Sequence, residues 1–154
     1  MNFDEAFEKL IGHEGVLSDN KADKGGLTKF GISQRAYPSV DIRALTLDDA
    51  KRIYYIDYWM KCKCELLPTS LRFHIFDAAV NSGVNRSILW LQEAVKVKQD
   101  GIIGPLTIAA AQTLDGDKLA MKYNGTRLMF MTELDGWRVF SRGWARRIAE
   151  NLML

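Results

Sequence analysis

Strand signals in this 154-residue chain are confined to one place, and that restricts it to a mainly helical fold. Within residues 13 to 32, Gly15 stops a helix, Gly25-Gly26 permits the positive φ of a tight turn, and Thr28 and Phe30-Gly31-Ile32 resume a short extended run, the pattern of a small β-hairpin. Elsewhere apolar residues recur at helical spacing. A first helix runs from an Asn2 cap, with Glu5 completing a capping box, to Glu14, with Phe3, Phe7 and Leu10 on one stripe. A short helix is expected over Ser33 to Tyr37, stopped by Pro38, and Thr46 caps a long one that carries Ala50, Tyr54, Tyr58 and Met60. Pro68-Thr69 opens a further helix, with Leu71, Ile75, Phe76, Ala79 and Val80 buried and Gly83 as its stop.

The second half continues in the same way. Asn85 restarts a helix through Ile88, Leu91 and Val95, Gly104-Pro105 opens another, and Asp115-Gly116 precedes a long stretch with Leu119, Tyr123, Leu128 and Met131. The last helix sets Trp137, Phe140, Trp144 and Ile148 on one side and arginines on another. With 47% hydrophobic residues and no linker, repeat or low-complexity tract, the chain reads as one packed body with a cleft.

Charge and cysteine content narrow the chemistry. The formal net charge is only +2, although Arg127, Arg138, Arg142, Arg146 and Arg147 crowd one end. Such an end suits an anionic surface, and equally a solvated helix face. Cys62 and Cys64 lie too close together for an easy disulfide and lack the partners of a zinc site, so they read as free thiols, and His13 and His74 as structural histidines. No metal or cofactor is called for. No run of apolar residues approaches the length of a membrane span, and the opening Met1-Asn2-Phe3-Asp4-Glu5 is not an export signal, so synthesis in a cytoplasm without stable membrane insertion is expected.

Two acids carry the catalytic reading. Glu14 falls on the apolar stripe of the first helix and in its last turn, where burial and the backbone carbonyls both raise a carboxyl pKa. Asp23, nine residues on, sits among Ser, Asn, Lys and Gly and would stay hydrated and ionised. One protonated and one charged carboxyl form the usual apparatus of glycosidic hydrolysis. Thr28 would face back toward Glu14. Two arbitrary acids are more often a solvated surface, but Glu at a helix end followed by Asp, Gly-Gly and Thr in a hairpin is a linked pattern. Among the remaining candidates, Tyr54, Tyr55, Tyr58 and Trp59 suit core packing better than a sugar cleft. Asp77 suits a hydrogen bond to neighbouring backbone.

Glu14-Gly15, Asp23, Gly25-Gly26, Thr28 and Gly31-Ile32 resemble the opening signature of glycoside hydrolase family 108, the bacterial and phage N-acetylmuramidases. The Glu, Asp and Thr are also similar to those of phage lysozymes of the T4 type. Phe76-Asp77-Ala78-Ala79-Val80-Asn81-Ser82-Gly83 and then Leu91-Gln92, Asp100-Gly101-Ile102-Ile103-Gly104-Pro105 and Thr107 resemble the second half of that family, a predicted peptidoglycan-binding region. Val16-Leu17 replaces the family's usual Gly and aromatic residue, and Asn20-Lys21 its Asp-Pro, which leaves Asp19 open as the second carboxylate beside Asp23.

The resemblance implies a lysozyme-like domain with a catalytic half over residues 1–84 and a helical wall-binding half over 85–154. It implies cleavage of the β-1,4 bond between N-acetylmuramic acid and N-acetylglucosamine by a monomer acting on peptidoglycan glycan strands. Glu14 is then the general acid, Asp23 activates water or stabilises positive charge, Thr28 orients one of these, and Asn81 meets an acetamido group or hydroxyl. A phage endolysin, freed to the wall by a holin, or an antibacterial effector passed through a secretion machine would fit. Three rivals follow from the same residues: a lytic transglycosylase, a non-catalytic wall-binding module, and a nucleic-acid binder using the arginine-rich end, which ranks last.

Overall fold

The computed structural model describes residues 1–12, 17–19 and 26–154. Among these, seven α-helices and one small antiparallel sheet follow the order α1, β1, β2, β3, α2, α3, α4, α5, α6, α7. The fold is mainly α, as the periodicity predicts. Residues group into two compact units, one over Asn2–Met60 and one over Lys61–Leu154 together with Met1.

The N-terminal unit opens with α1, Phe3–Ile11, held by the expected capping box: the Asn2 side chain accepts from the Glu5 backbone and the Glu5 carboxylate from that of Asn2, each at 2.9 Å. Ala6, Phe7 and Leu10 are its buried face. The helix stops at Ile11 rather than Glu14, because Gly12, a poor helix former met before Gly15, takes the cap position and donates to the Glu8 carbonyl.

The sheet has strands β1, Leu17–Asp19, β2, Leu27–Lys29, and β3, Ile32–Ser33, with Ser18 opposite Thr28 and Thr28 opposite Ser33. A third strand was not expected. Phe30 and Gly31, read from sequence as extended, instead form the two-residue turn between β2 and β3, with φ of 51° and 77°. Positive φ at both central residues matches the twist of paired strands. The Tyr54 hydroxyl donates to the Phe30 carbonyl at 2.7 Å and fixes this turn.

The short helix expected at Ser33 to Tyr37 is also replaced by turns. Here the Gln34 side-chain amide donates to the carbonyls of Tyr37 at 2.9 Å and Val40 at 2.8 Å, an alternative to helical bonding. Helix α2, Leu47–Tyr54, is capped by Thr46 as expected, with Asp49 closing a capping box, but it does not run on as an α-helix. Tyr55–Met60 forms a π-helical turn instead. This wider turn sets Tyr55 and Trp59 edge-on to Phe3, at ring-centroid distances of 4.9 and 5.4 Å. Tyr54 and Trp59 are buried, in keeping with core packing, whereas Tyr55 and Met60 are exposed.

The C-terminal unit begins with a 3-10 turn, Cys64–Leu66, followed by α3, Thr69–Ser82, α4, Val84–Val95, α5, Pro105–Gln112, α6, Gly116–Thr132, and α7, Trp137–Leu152. Gly83, at φ 93° and ψ 149°, separates α3 from α4 in a conformation open essentially to glycine alone. Leu71, Ile75, Phe76 and Ala79 of α3 pack with α4 and α6 to form the core. Ser87 of α4 donates to the Ile75 carbonyl and bonds the Tyr123 hydroxyl of α6, both at 2.8 Å.

Candidate functional site

Glu14 and Asp23 lie outside the described residues, and so does His13. Asp19 is the last residue of β1, its backbone opposite Leu27. Thr28 sits at the centre of β2, half-buried, flanked by Ser18 on β1 and Ser33 on β3. Its hydroxyl donates to the Gly26 carbonyl at 3.3 Å, which leaves the oxygen lone pairs free to accept. The sheet is thus the platform that places Thr28.

A second polar pair in the N-terminal unit joins Tyr37 to Asp57 on the π-helical turn, the Tyr37 hydroxyl donating at 2.6 Å. Burial first, then the Asp57 carboxylate, pushes the Tyr37 hydroxyl above the ordinary phenol range, so it acts as a donor at every physiological pH. Nothing in the local sequence marks these two as partners, since they lie twenty residues apart.

Asn81, in the last turn of α3, is exposed. Its side-chain oxygen accepts from Arg127 Nη2 at 3.2 Å and from the Ser82 hydroxyl at 3.4 Å. With the oxygen so held, the amide N–H2 is the part left to donate outward. One turn earlier Asp77 is fully buried, and its bonds do not go to neighbouring backbone as the sequence suggests. It accepts from Arg127 Nη1 and Asn151 Nδ2, each at 2.8 Å, and from Arg147 Nε at 2.9 Å. Burial pushes the Asp77 carboxyl up, but the guanidinium groups of Arg127 and Arg147 outweigh it and hold the group below the usual carboxylate range.

This cluster corrects the reading of the basic end as a solvated face. Arg138, Arg142 and Arg146 are exposed, but Arg127 is fully buried. The signal was present: Leu119, Tyr123, Arg127 and Met131 recur every four residues, so Arg127, not Leu128, occupies the buried stripe of α6. His74 Nδ1 lies 3.0 Å from Asn124 Nδ2, and burial lowers its pKa, which makes it a neutral structural histidine as expected.

The Asp100-Gly101 segment is likewise structural. Buried Gln92 donates through Nε2 to Asp100 Oδ1 at 2.8 Å and to the Ile102 carbonyl at 3.0 Å, and accepts from the Gly101 N–H at 2.9 Å. Gly101 has φ 76°, and a Cβ there would stand 2.2 Å from Asn85 Oδ1. Among the described residues no group of three His, Cys, Asp or Glu side chains could hold a metal ion. No helix among them is long and apolar enough to cross a membrane.

Residues 7–83 match the family described as Glycosyl hydrolase 108, and residues 86–149 match one described as Predicted Peptidoglycan domain. The chain belongs to glycosyl hydrolase family 108. The solved structure of Brucella abortus SagA is 30% identical and superposes with a TM-score of 0.89, covering 98% of this chain and 91% of that one. No curated protein matches. As a glycosyl hydrolase 108 member followed by a predicted peptidoglycan domain, the chain is supported as a peptidoglycan hydrolase. Within the family 108 match fall Glu14, Asp19, Asp23, Thr28 and Asn81, every site residue read from the sequence.

Proposed function

We propose that this protein is an N-acetylmuramidase that hydrolyses the β-1,4 bond between N-acetylmuramic acid and N-acetylglucosamine in peptidoglycan. The observation that supports the reading is the family 108 match across residues 7–83, a span that contains Glu14, Asp23 and Thr28. Glu14 delivers a proton to the leaving oxygen, a contribution typically worth about 10²–10⁴-fold. Asp23, or Asp19 in its place, activates water or stabilises the positive charge developing on the sugar. Thr28 accepts a hydrogen bond from that water, and Asn81 donates to an acetamido group or hydroxyl of the strand. The single-domain division at residue 84, a monomeric state and cytoplasmic synthesis with release by a holin or a secretion machine belong to the same proposal.

The test is turbidity loss and reducing-end release from purified peptidoglycan by the native chain, Glu14→Gln and Asp23→Asn, with mass spectrometry of the products. Hydrated reducing ends that disappear in Glu14→Gln and fall steeply in Asp23→Asn are expected. Anhydro sugars with Asp23→Asn tolerated would replace the hydrolase by a lytic transglycosylase. Wall binding without any release would leave a binding module.

A further inference from the structure

The C-terminal unit contains a groove of about 390 Å³ whose walls come from both family segments: Asn81 and Ser82 from the first, and Arg86, Trp90, Phe130 and Trp144 from the second. Its chemistry is uneven. Three aromatic rings line it together with Met131 and Leu134, and Asn81, Ser82 and Arg86 cluster where α3 passes into α4.

The aromatic walls are braced from behind. Trp144 stacks on Phe140 with ring centroids 5.7 Å apart and leans on Trp137 at 6.2 Å. A Cβ at Gly136 would meet the Trp144 ring at 3.2 Å, so the missing side chain there lets the indole lie close against the start of α7. Phe130 stands edge-on to Trp90 at 5.4 Å.

Two groups beside the groove lack a polar partner among the described residues. The Arg86 guanidinium lies 4.2 Å from the centroid of Phe130 and has no ion pair among the described residues. Trp90 is 2% exposed, yet its indole N–H has no acceptor among the described residues. An aromatic wall suits the apolar face of a pyranose ring, the free amide N–H2 of Asn81 suits an acetamido carbonyl, and an unpaired guanidinium suits a carboxylate.

The geometry points to this groove as a binding subsite for an N-acetylated sugar that bears a free carboxylate, the muramic acid unit of a glycan strand stripped of its stem peptide. The inference rests on the peptidoglycan hydrolase reading and adds to it a place and a requirement for negative charge. Arg86 pairs with the lactyl carboxylate, Asn81 holds the acetamido group, and Trp144 covers the ring. A neutral chain of N-acetylglucosamine offers the ring and the acetamido group but nothing for Arg86.

The experiment measures binding of the full chain to sedimented peptidoglycan, and to two soluble probes by calorimetry: the disaccharide of N-acetylglucosamine and N-acetylmuramic acid with a free lactyl carboxylate, and chitotetraose. The disaccharide is expected to bind at least about tenfold more tightly than chitotetraose, and Arg86→Ala to abolish that difference. Arg86→Lys, which keeps the charge, restores part of it, and Trp144→Leu weakens both probes. Thermal midpoints establish that each variant is folded. Equal binding of the two probes by the native chain, or an Arg86→Glu variant that is folded and binds as well as native, overturns the subsite while sugar-end release by the native chain keeps the hydrolase reading. A native chain that neither binds the wall nor releases ends overturns both.

Discussion

Asp77 bears most of the electrostatic weight in the C-terminal unit. It receives Arg127, Arg147 and Asn151 at 2.8 to 2.9 Å, and neither it nor Arg127 touches solvent. Removing one member of such a pair leaves a buried charge without its counterpart, which costs about 3–5 kcal/mol. Asp77→Ala is therefore expected to lower stability by about that amount in urea unfolding, and replacing the whole cluster, Asp77→Leu with Arg127→Met, Arg147→Met and Asn151→Leu, to recover most of it. A single substitution costing under about 1 kcal/mol would refute this account of the cluster. His74 gives a sign-determined pH effect. Its folded pKa lies below the ordinary imidazole value because burial disfavours the charged ring, so the unfolded chain binds the proton first. Stability should fall as pH drops below about 6.5, and His74→Asn should flatten that slope. Parallel slopes in native and variant proteins would move the effect elsewhere. Asp77, whose pKa is depressed, adds its own loss only at lower pH, below the usual carboxylate range.

At the scale of elements, local chemistry explains what was readable. The Asn2–Glu5 box, the Thr46 cap, Pro105 at a helix start and the glycine break at Gly83 act within a few residues of themselves, and each appears where the sequence places it. What escaped depends on distant partners. Arg127 and Asp77 are fifty residues apart, and burial of that charge is decided only when α3 and α6 pack. The two-residue β3 is too short to show alternation, and its turn tolerates Phe30 at positive φ while Tyr54 holds the carbonyl. Helix α1 ends at Ile11 because Gly12 caps it, ahead of the stop expected at Gly15. The two candidate acids are legible as a pattern with a family resemblance, and the match over residues 7–83 bears out the family. Gly83 offers a direct check on the element scale. A Cβ there meets nothing within 4 Å, so Gly83→Ala should cost only its backbone strain, about 1–3 kcal/mol, with binding to peptidoglycan lost in parallel if the α3–α4 junction moves Asn81 away from Arg86. A variant as stable as native would show that the junction relaxes freely.

For the whole molecule, the division suggested by family matching and the division into compact units do not coincide. Helix α3 is matched with the glycosyl hydrolase, yet it packs with α4 and α6, which are matched with the predicted peptidoglycan domain. The position of Asn81 at the end of α3 is therefore set by the packing of the second half. Removing that half would unmake the position of Asn81 as well as the groove beside it. The buried thiols add a last consequence. Cys62 and Cys64 are fully enclosed and unpaired by any disulfide, and burial pushes the Cys64 thiol up. A thiol reagent can reach them only when the C-terminal unit opens, so its rate of consumption should rise with urea in step with loss of structure, and rise in Asp77→Ala. Prompt labelling of the folded chain at the rate of free cysteine would contradict that. Each labelled molecule then records one opening, and the pair Cys62 and Cys64 serves as an internal clock for how often this unit breathes.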